Sequence, residues 1–381
     1  MKYRILFLSL TLSFISSSLS AQFLDTEVGA DSVTSTVVPA ISYGSDRGVI
    51  FGVLYDRKDY SGDLEPYKSR IKGRALGSTL GFVEVEAQYE RTQIANTQIR
   101  AVGNLKFHRY KGDNYFGIGN STPFDKKDYE NGYYDYKSVG WNLSIDGYYP
   151  LYKWNEDRKL DLKFGVGMEY ENPVARGDTT FFAKYPPSGS KGGWSNYLTT
   201  GLIFENRDND YDPRQGNRIS IQVSYSPGFT GNFSFVSTHT QLLQYFNPFS
   251  FVTVANMLNV RYVGGKIPFW KMSTLGNRET LRGYPLNRFQ GNASIAYTLE
   301  LRKWLLEFPE FYKLRLGGHL FTDVGRVFTK DNEFNDLFRG YHQTFGFGGT
   351  LSVLESDFIV RGELGFSESS PRIYFGLGYL F

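Results

Sequence analysis

Most of the chain consists of segments in which apolar and polar residues alternate with a period of two. Between positions 159 and 171 the odd positions hold charged residues or Gly, whereas the even positions hold Leu, Phe, Val, Met or Tyr. Similar segments run from 83 to 90 and from 218 to 225, and the chain ends with apolar residues at 373, 375, 377, 379 and 381. Successive side chains of a β-strand point to opposite faces, so this pattern predicts strands with one apolar and one polar face.

Turn residues between these segments predict sixteen strands. Their expected starts lie near residues 37, 48, 69, 80, 97, 137, 159, 194, 217, 233, 251, 291, 313, 341, 357 and 371. Closed barrels of bacterial outer membranes usually have an even number of strands. A soluble β-sandwich is the alternative, but Tyr and Phe concentrate towards the strand ends, as in interfacial girdles. The pattern therefore predicts an all-β fold, a 16-stranded antiparallel transmembrane β-barrel over 37–381.

The N-terminus has the pattern of an export signal. Lys2 and Arg4 precede an apolar run from 5 to 15, and small residues follow up to Ala21. This order predicts a signal peptide over 1–21, because the run is too short for a membrane anchor. A short polar periplasmic segment is expected over 22–36. We therefore expect the protein in the outer membrane, surrounded by its lipid.

Composition narrows the function classes. The 381 residues include 28 Tyr, 32 Phe and 5 Trp but no Cys, a high aromatic content for a soluble enzyme. The lack of Cys excludes disulfides, thiolate zinc sites and Cys nucleophiles. The 42 Lys and Arg nearly balance the 39 Asp and Glu, which argues against a nucleic-acid partner.

The titratable residues suggest no catalytic or metal chemistry. Four His residues lie on different strands or loops, without the spacing of metal ligands: His108, His239, His319 and His342. His319 and Asp323 share a strand face but are four residues apart, about 13 Å along a strand. We therefore expect no direct contact between them, and we expect no enzyme activity, cofactor or metal site.

Charged residues occupy the polar faces of the third and fourth predicted strands: Arg70, Lys72 and Arg74 beside Glu84, Glu86 and Glu90. Opposite charges on neighbouring strands can pair across the sheet. These residues could form a selectivity lining, or they could be ion pairs that only fill and solvate the lumen. The mixed signs favour the second interpretation, because they select neither anions nor cations.

A long predicted loop before the twelfth strand contains Arg282, Gly283 and Tyr284. Glu300 lies on the polar face of the twelfth strand and Asp323 on that of the thirteenth. If the loop folds into the barrel, the arginine could reach both carboxylates, which a desolvated guanidinium needs as partners. A solvated loop arginine is the alternative.

These motifs carry a family resemblance. The sequence Leu-Arg-Gly-Tyr at 281–284 resembles the arginine-glycine-aromatic motif in the sixth extracellular loop of the outer-membrane protein 85 superfamily, also called the bacterial surface antigen family. The segment 321–325, Phe-Thr-Asp-Val-Gly, is similar to the family's thirteenth strand, and 299–302 resembles its twelfth. Asp212, Pro213 and Gly216 resemble the family's periplasmic turn, and Phe381 resembles the C-terminal recognition signal of outer-membrane barrels. The matches cover roughly residues 200–381.

The resemblance implies that Arg282 lies in the lumen, held by Glu300 and Asp323, and that Tyr284 packs near Phe321. It implies that Gly283 allows the backbone to approach closely. Family members that insert or secrete proteins carry polypeptide-transport-associated (POTRA) domains before the barrel, and we expect none here. The resemblance therefore suggests a periplasmic or lipoprotein partner that supplies this role in trans.

Three functional hypotheses follow. The favoured one is a barrel that helps to insert, translocate or assemble outer-membrane components through a weak seam between its first and last strands. Gly weakens strands, and five Gly residues lie near this seam: Gly346, Gly348, Gly349, Gly376 and Gly378. A diffusion or substrate channel is the second hypothesis. A structural or surface-interaction protein, acting through its Tyr- and Gly-rich outer loops, is the third.

Overall fold

The computed structural model describes residues 33–381 apart from 63, 156–157, 250, 312 and 354–358. The predicted signal peptide over 1–21 and most of the predicted segment over 22–36 lie outside the described residues. Residues 33–36 belong to the first strand, which begins at Val33, four residues before its predicted start.

Sixteen antiparallel strands form one closed barrel, which confirms the predicted fold class. The eighth strand is interrupted at 195–196. The strands are β1 Val33–Gly44, β2 Gly48–Asp59, β3 Ser69–Ser78, β4 Val83–Arg91, β5 Arg100–Asn114, β6 Asp135–Lys153, β7 Lys159–Ala175, β8 Gly193–Trp194 with Tyr197–Glu205, β9 Gly216–Ser226, β10 Ser234–Phe249, β11 Val252–Lys266, β12 Ala293–Phe308, β13 Leu314–Phe328, β14 His342–Ser352, β15 Ile359–Phe366 and β16 Arg372–Leu377.

The alternating pattern places apolar residues outside and polar residues inside the barrel. On β7, Phe164, Val166 and Met168 are exposed on the outer surface. Lys163 on the same strand turns inward and pairs with Asp146 of β6 at 3.4 Å. This inverted arrangement suits a wall surrounded by lipid, whose interior is filled by polar side chains.

Connections after odd-numbered strands include the long loops 115–134, 176–192, 267–292 and 329–341, and we take their end of the barrel as the outer mouth. These loops contain two short helices, α1 Lys126–Glu130 and α2 Phe181–Lys184, and 3₁₀ turns at Phe269–Lys271 and Phe334–Phe338. A small hairpin pairs Ser273–Leu275 with Phe289–Gly291. Among the described residues, no helix is long and apolar enough to cross a membrane.

The outer loops pack on one another across the mouth. The Gly119 N–H donates to the Gln290 carbonyl at 2.7 Å, which joins the loop 115–134 to the loop 267–292. Asn120 joins the same loop to 329–341, because its side-chain amide donates to the Gly340 carbonyl at 2.8 Å. A buried aromatic cluster supports this cap: Tyr115, Tyr136, Phe182 and Phe269. The loops therefore form a connected cover above the lumen.

The barrel closes through a short seam. Twelve residue positions of β1 pair with β2, but a single pair, Gly44 with Tyr374, joins β1 to β16. The Ser45 N–H also donates to the Ile373 carbonyl at 3.1 Å. β16 ends at Leu377, and the chain then turns at Gly378 into the lumen and away from β1. The seam therefore has far fewer contacts than the other strand pairs.

Candidate functional site: a buried arginine in the lumen

Apolar packing folds the loop 267–292 back into the barrel. The hairpin within this loop lies against β12 and β13, and its residues share a buried cluster with the barrel wall: Leu275, Leu281, Tyr284 and Phe289 from the loop with Ala296 and Val327 from the strands. Burying these side chains holds the segment between the two hairpin strands inside the lumen. Arg282 lies in this segment.

Arg282 binds three carboxylates. Its Nε and Nη2 donate to the two oxygens of Asp323 at 2.9 and 2.8 Å, and its backbone N–H also donates to Asp323 at 3.0 Å. Its Nη1 donates to Glu300 at 2.6 Å and to Glu363 at 2.5 Å. All four side chains are 0% exposed. We call Arg282, Glu300, Asp323 and Glu363 the buried charge cluster.

The ring of Phe321 forms the remaining face of the arginine site. The guanidinium carbon of Arg282 lies 3.4 Å from the centre of this ring. A cation over an aromatic face is attracted by the ring quadrupole, and the attraction is larger in a desolvated site. Two hydroxyls, Thr298 at 2.9 Å and Thr344 at 3.3 Å, donate to Asp323 and complete its hydrogen bonding.

Gly283 brings the loop backbone against the seam-side strands. Its φ is +102°, and a Cβ here would lie 2.9 Å from the backbone carbon of Phe366. Its N–H donates to the phenol oxygen of Tyr374 at 3.0 Å, and Ser367 Oγ donates to its carbonyl at 2.7 Å. Only Gly fits both this conformation and this spacing.

Tyr284 differs from its expected position. Its ring pairs with Phe289 at 5.1 Å and His342 at 5.7 Å between ring centres, whereas Phe321 lies under Arg282. Burial raises the pKa of Tyr284 to about 12. Tyr284 thus packs the loop against Phe289 and His342, and its ring partners are not members of the buried charge cluster.

Sequence reasoning missed Glu363 and the role of His319. His319 Nε2 lies 3.1 Å from Glu363 Oε1, so its carboxylate neighbour is on β15 and not Asp323 on its own strand. Arg361 lies 3.4 Å from the other Glu363 oxygen. Arg361 and Glu363 lie on the polar face of β15, so the alternation along this strand could have identified both as lumenal residues. That β15 lies close enough for Glu363 to reach Arg282, however, depends on the closed barrel.

The donor atoms of Glu300, His319 and Glu363 lie within 4.8 Å of one another, a spacing that could hold a metal ion. A guanidinium already supplies the positive charge, because Arg282 Nη1 binds both Glu300 and Glu363. Arg302 adds a second cation, 2.8 Å from the other Glu300 oxygen. The geometry therefore favours an arginine-bound cluster, and the absence of a metal site stays a prediction.

The predicted periplasmic turn reaches the same two strands from the other mouth. Asp212 accepts hydrogen bonds from Trp304 at 3.0 Å and Arg315 at 3.2 Å, which lie on β12 and β13. Pro213 is buried, and Gly216 has a φ of +102°. A Cβ on Gly216 would collide with the carbonyl oxygen of Asn206, at the start of the same turn. The strands β12 and β13 are thus fixed from both ends of the lumen.

A second set of ion pairs lines the opposite wall, on β3, β4 and β5. Arg74 pairs with Glu84 at 2.9 Å and with Glu86 at 2.5 Å, and Lys106 pairs with Glu84 at 2.8 Å. The Arg74 side chain is 42% exposed. We call Arg74, Glu84, Glu86 and Lys106 the wall ladder. Its paired charges agree with a lumen that is filled and solvated.

A closed sixteen-stranded barrel with a loop arginine bound in its lumen defines a class of outer-membrane-type proteins. The model of the Omp85 superfamily domain matches residues 70–381, and the chain belongs to the Omp85 superfamily. This finding confirms the family resemblance seen in the motifs.

Solved structures show the same fold at low sequence identity. The chain is similar to BamA from Haemophilus ducreyi lacking POTRA domains 1–3, with 15% identity, a TM-score of 0.63, and coverage of 91% of this chain and 71% of that one. It is also similar to CdiB from Escherichia coli, with 11% identity, a TM-score of 0.58, and coverage of 91% of this chain and 63% of that one. For CdiB from Acinetobacter baumannii the identity is 11%, the TM-score is 0.53, and the coverage is 91% of this chain and 66% of that one. The chain thus spans less than two thirds of either CdiB. No curated protein matches it.

Proposed function

We propose that this barrel aids the insertion, translocation or assembly of outer-membrane components. The seam carries this proposal. Along 33–43 the backbone of β1 has no residue pair with β16, although it is fully paired with β2 on its other side. Unpaired N–H and C=O groups on a strand edge are a template for another strand. A client segment could therefore pair with β1 there.

The buried charge cluster supports the proposal by stiffening the wall next to the seam. Arg282 joins β12, β13 and β15 through Glu300, Asp323 and Glu363. Gly283 adds β16 through Tyr374. Strands tied together in this way move as a unit, so separation is expected at the seam and not within this wall.

The likeness to BamA and CdiB, which share this barrel fold at low sequence identity, supports the proposal. A periplasmic or lipoprotein partner that works with the barrel is part of the proposal. Crosslinking in native outer membranes, followed by mass spectrometry, tests for it. A stoichiometric partner is expected, and a barrel that is recovered alone would contradict this part.

A disulfide across the seam tests whether the seam must open. The natural chain has no Cys, so introduced pairs are the only thiols. Tyr43 and Phe375 are the next residues along from the pair Gly44 and Tyr374, so continuing its antiparallel register would set them opposite each other, and both side chains are exposed. The test variant is Tyr43→Cys with Phe375→Cys. The matched control is Tyr43→Cys with Val49→Cys, which bridges the fully paired β1 and β2.

The readout is the rate at which a small urea-unfolded outer-membrane barrel folds into liposomes that contain each variant. We expect the oxidised seam variant to lose its acceleration of folding and to regain it on reduction, whereas the control keeps it in both states. Equal acceleration by the oxidised and reduced seam variants would overturn the proposal.

A diffusion or substrate channel is the second candidate function, favoured by the solvated wall ladder. The connected cover of outer loops opposes it, because the loop 115–134 is bonded to the loops 267–292 and 329–341. Single-channel recording in planar bilayers separates the two candidates. Steady conductance by the oxidised seam variant would favour the channel, because its seam cannot open.

A further inference from the structure

Three basic side chains lie close together on the outer surface of β5 and β6. Arg109 and Lys111 of β5 and Lys137 of β6 are all exposed. His108, next to Arg109, faces the lumen instead, where it pairs with Glu171 at 3.0 Å. Successive side chains of a strand alternate between its two faces, so the three basic side chains point away from the lumen. We call Arg109, Lys111 and Lys137 the basic triad.

The strand register brings the like charges of the basic triad together. The β5–β6 register shifts between Tyr110 and Asp113, so that residues 111–112 of β5 form a bulge opposite the single residue Lys137. Arg109 lies on the same face, two positions before the bulge. Like charges on facing strand positions repel and destabilise a sheet. The basic triad therefore has an energetic cost that an anion at this place would remove.

The chain supplies no counter-charge to the basic triad. Within the described ranges, none of its three side chains forms an ion pair or a hydrogen bond. Asp135, two residues before Lys137 on β6, is already paired with Arg176. By contrast, Lys163 on the lumenal face has a carboxylate partner, Asp146, at 3.4 Å. The basic triad is thus left to bind an anion from outside the chain.

The turn between β3 and β4 leaves room for Lys111. Gly81 in this turn has a φ of +81°, and a Cβ added there would lie 2.9 Å from the Cγ of Lys111. The lysine stem therefore passes directly over the turn backbone, while the residue stays exposed. Leu80, beside Gly81, is 57% exposed and adds apolar surface near the stem. Lysine stems commonly cover apolar surface in this way and keep the ammonium group in water.

The basic triad lies at the depth expected for lipid headgroups. β5 runs from the periplasmic end to the outer mouth, and its outward side chains from Ala101 to Phe107 are apolar or Gly. From Ala101 to Arg109 the strand rises about 26 Å along its own axis, or about 20 Å across the membrane at the usual tilt. The apolar band of such barrels is roughly 25 Å tall. The cations therefore lie at the edge of this band, where the exposed side chains of Val139 and Val174 border them.

We propose that the basic triad binds a lipid of the outer leaflet whose headgroup carries phosphate. The phosphate lies on the three cations, because it accepts charge-assisted hydrogen bonds from a guanidinium and from ammonium groups. The acyl chains run along the apolar side chains of β5 and β6, a surface that free phosphate would leave uncovered. The site is on β5 and β6, away from the seam, and does not rest on the proposed function.

Native mass spectrometry of the barrel in detergent micelles, titrated with bisphosphorylated lipid A, measures the binding. The test variant is Arg109→Gln with Lys111→Gln and Lys137→Gln. We expect its affinity to be lower by at least about tenfold, because each basic residue near an anionic lipid surface contributes a factor of about five. In micelles without lipid A, urea titration should show no loss of stability, since the repulsion within the triad is removed.

A matched pair of single changes separates the basic triad from an ordinary surface lysine. Lys266 is also exposed at the outer end of its strand, β11, but it pairs with Ser234 and not with a second cation. Lys137→Gln should weaken the binding of lipid A by about fivefold, whereas Lys266→Gln should change it by less than about twofold.

Two further probes identify the group that is bound. Lipid A without its phosphates should bind to the wild type at least about tenfold more weakly, as weakly as bisphosphorylated lipid A binds to the triple variant. Inorganic phosphate at about 10 mM should leave bound lipid A in place, because it cannot cover the apolar wall.

Four results would overturn the proposal. The first is equal affinity of the wild type and the triple variant for lipid A. The second is an equal loss in Lys266→Gln, which would show that any outer lysine serves. The third is displacement by inorganic phosphate, which would assign the triad to free phosphate. The fourth is a triple variant that unfolds more easily without lipid A, which would show that the chain itself uses these cations.

Discussion

Two groups of ion pairs face the same lumen and differ in how much water reaches them. In the buried charge cluster, Arg282 and its three carboxylates are fully enclosed by the folded-in loop. In the wall ladder, Arg74 is 42% exposed and Glu86 is 27% exposed. Both groups pair an arginine with carboxylates at distances of 2.5–2.9 Å. The difference between them is the loop that covers the first group.

This difference decides what each group contributes. A charge left alone in a desolvated site has a large energetic cost, so each member of the buried cluster depends on the others. An ion pair in contact with water gains little, because water replaces a missing partner. The buried cluster can therefore hold a loop in one position, whereas the wall ladder mainly keeps the interior polar.

The largest effect should come from removing the buried cation. Arg282→Ala leaves three carboxylates together without their shared partner, and we expect the free energy of unfolding to fall by about 3–5 kcal/mol. Urea titration in lipid vesicles, followed by Trp fluorescence, measures this loss. The matched change Arg74→Ala should cost about 1 kcal/mol or less. Similar losses for the two variants would contradict the comparison.

A smaller loss is expected when one carboxylate is neutralised without a change in shape. Asp323→Asn removes a charged acceptor of three Arg282 hydrogen bonds, and the expected cost is about 1.5–3 kcal/mol by the same titration. Glu86→Gln on the wall ladder is its control, with an expected cost below about 1 kcal/mol. If Asp323→Asn proves neutral, the cluster does not hold the loop through its charges.

Backbone geometry at Gly283 should contribute less than the charges. Gly283→Ala forces a positive φ on Ala and crowds Phe366, so we expect a loss of about 1–2 kcal/mol. Gly62→Ala is the matched control, because Gly62 has a φ of +86° with no atom within 4 Å of an added Cβ. The difference between the stability losses of Gly283→Ala and Gly62→Ala measures the crowding at Gly283. Equal losses would contradict a close approach of the Gly283 backbone to Phe366.

The smallest expected effect is a change with salt. Between low salt and 1 M salt, where the Debye length falls to about 3 Å, the difference in unfolding free energy between wild type and Arg74→Ala should shrink towards zero. The difference between wild type and Arg282→Ala should change much less, because ions cannot enter the covered site. Equal salt dependence in paired titrations would mean that water reaches the buried cluster.

The barrel itself follows from local pattern. Strand starts predicted from alternation and turn residues agree with the structure within four residues, including β2, β3 and β7 at the predicted position. Period-two alternation is a local property that each segment shows separately, so it can be identified without knowledge of the other strands. The residues of the loop motif can also be identified locally. Arg282 lies in a predicted loop, and Glu300 and Asp323 lie on the polar faces of their strands.

Longer-range relations were decided only by the tertiary structure. Glu363 joins the buried cluster because barrel closure and the folded loop bring β15 to Arg282, 81 residues away along the chain. Tyr284 pairs with Phe289 and His342 because the apolar hairpin sets the depth of the loop. Residues 379–381 leave the alternation of β16 for the lumen because Gly378 permits the turn and Arg302 binds Phe381.

The sequence by itself thus determined the number of strands, which face of each strand meets lipid, and which arginine could enter the lumen. These features depend on the spacing of side chains along one strand or one motif. The structure decided which carboxylates share the arginine, how short the seam is, and where the last residues lie. These features depend on which strands and loops are brought together and on how much water they exclude, and no local pattern contains that information.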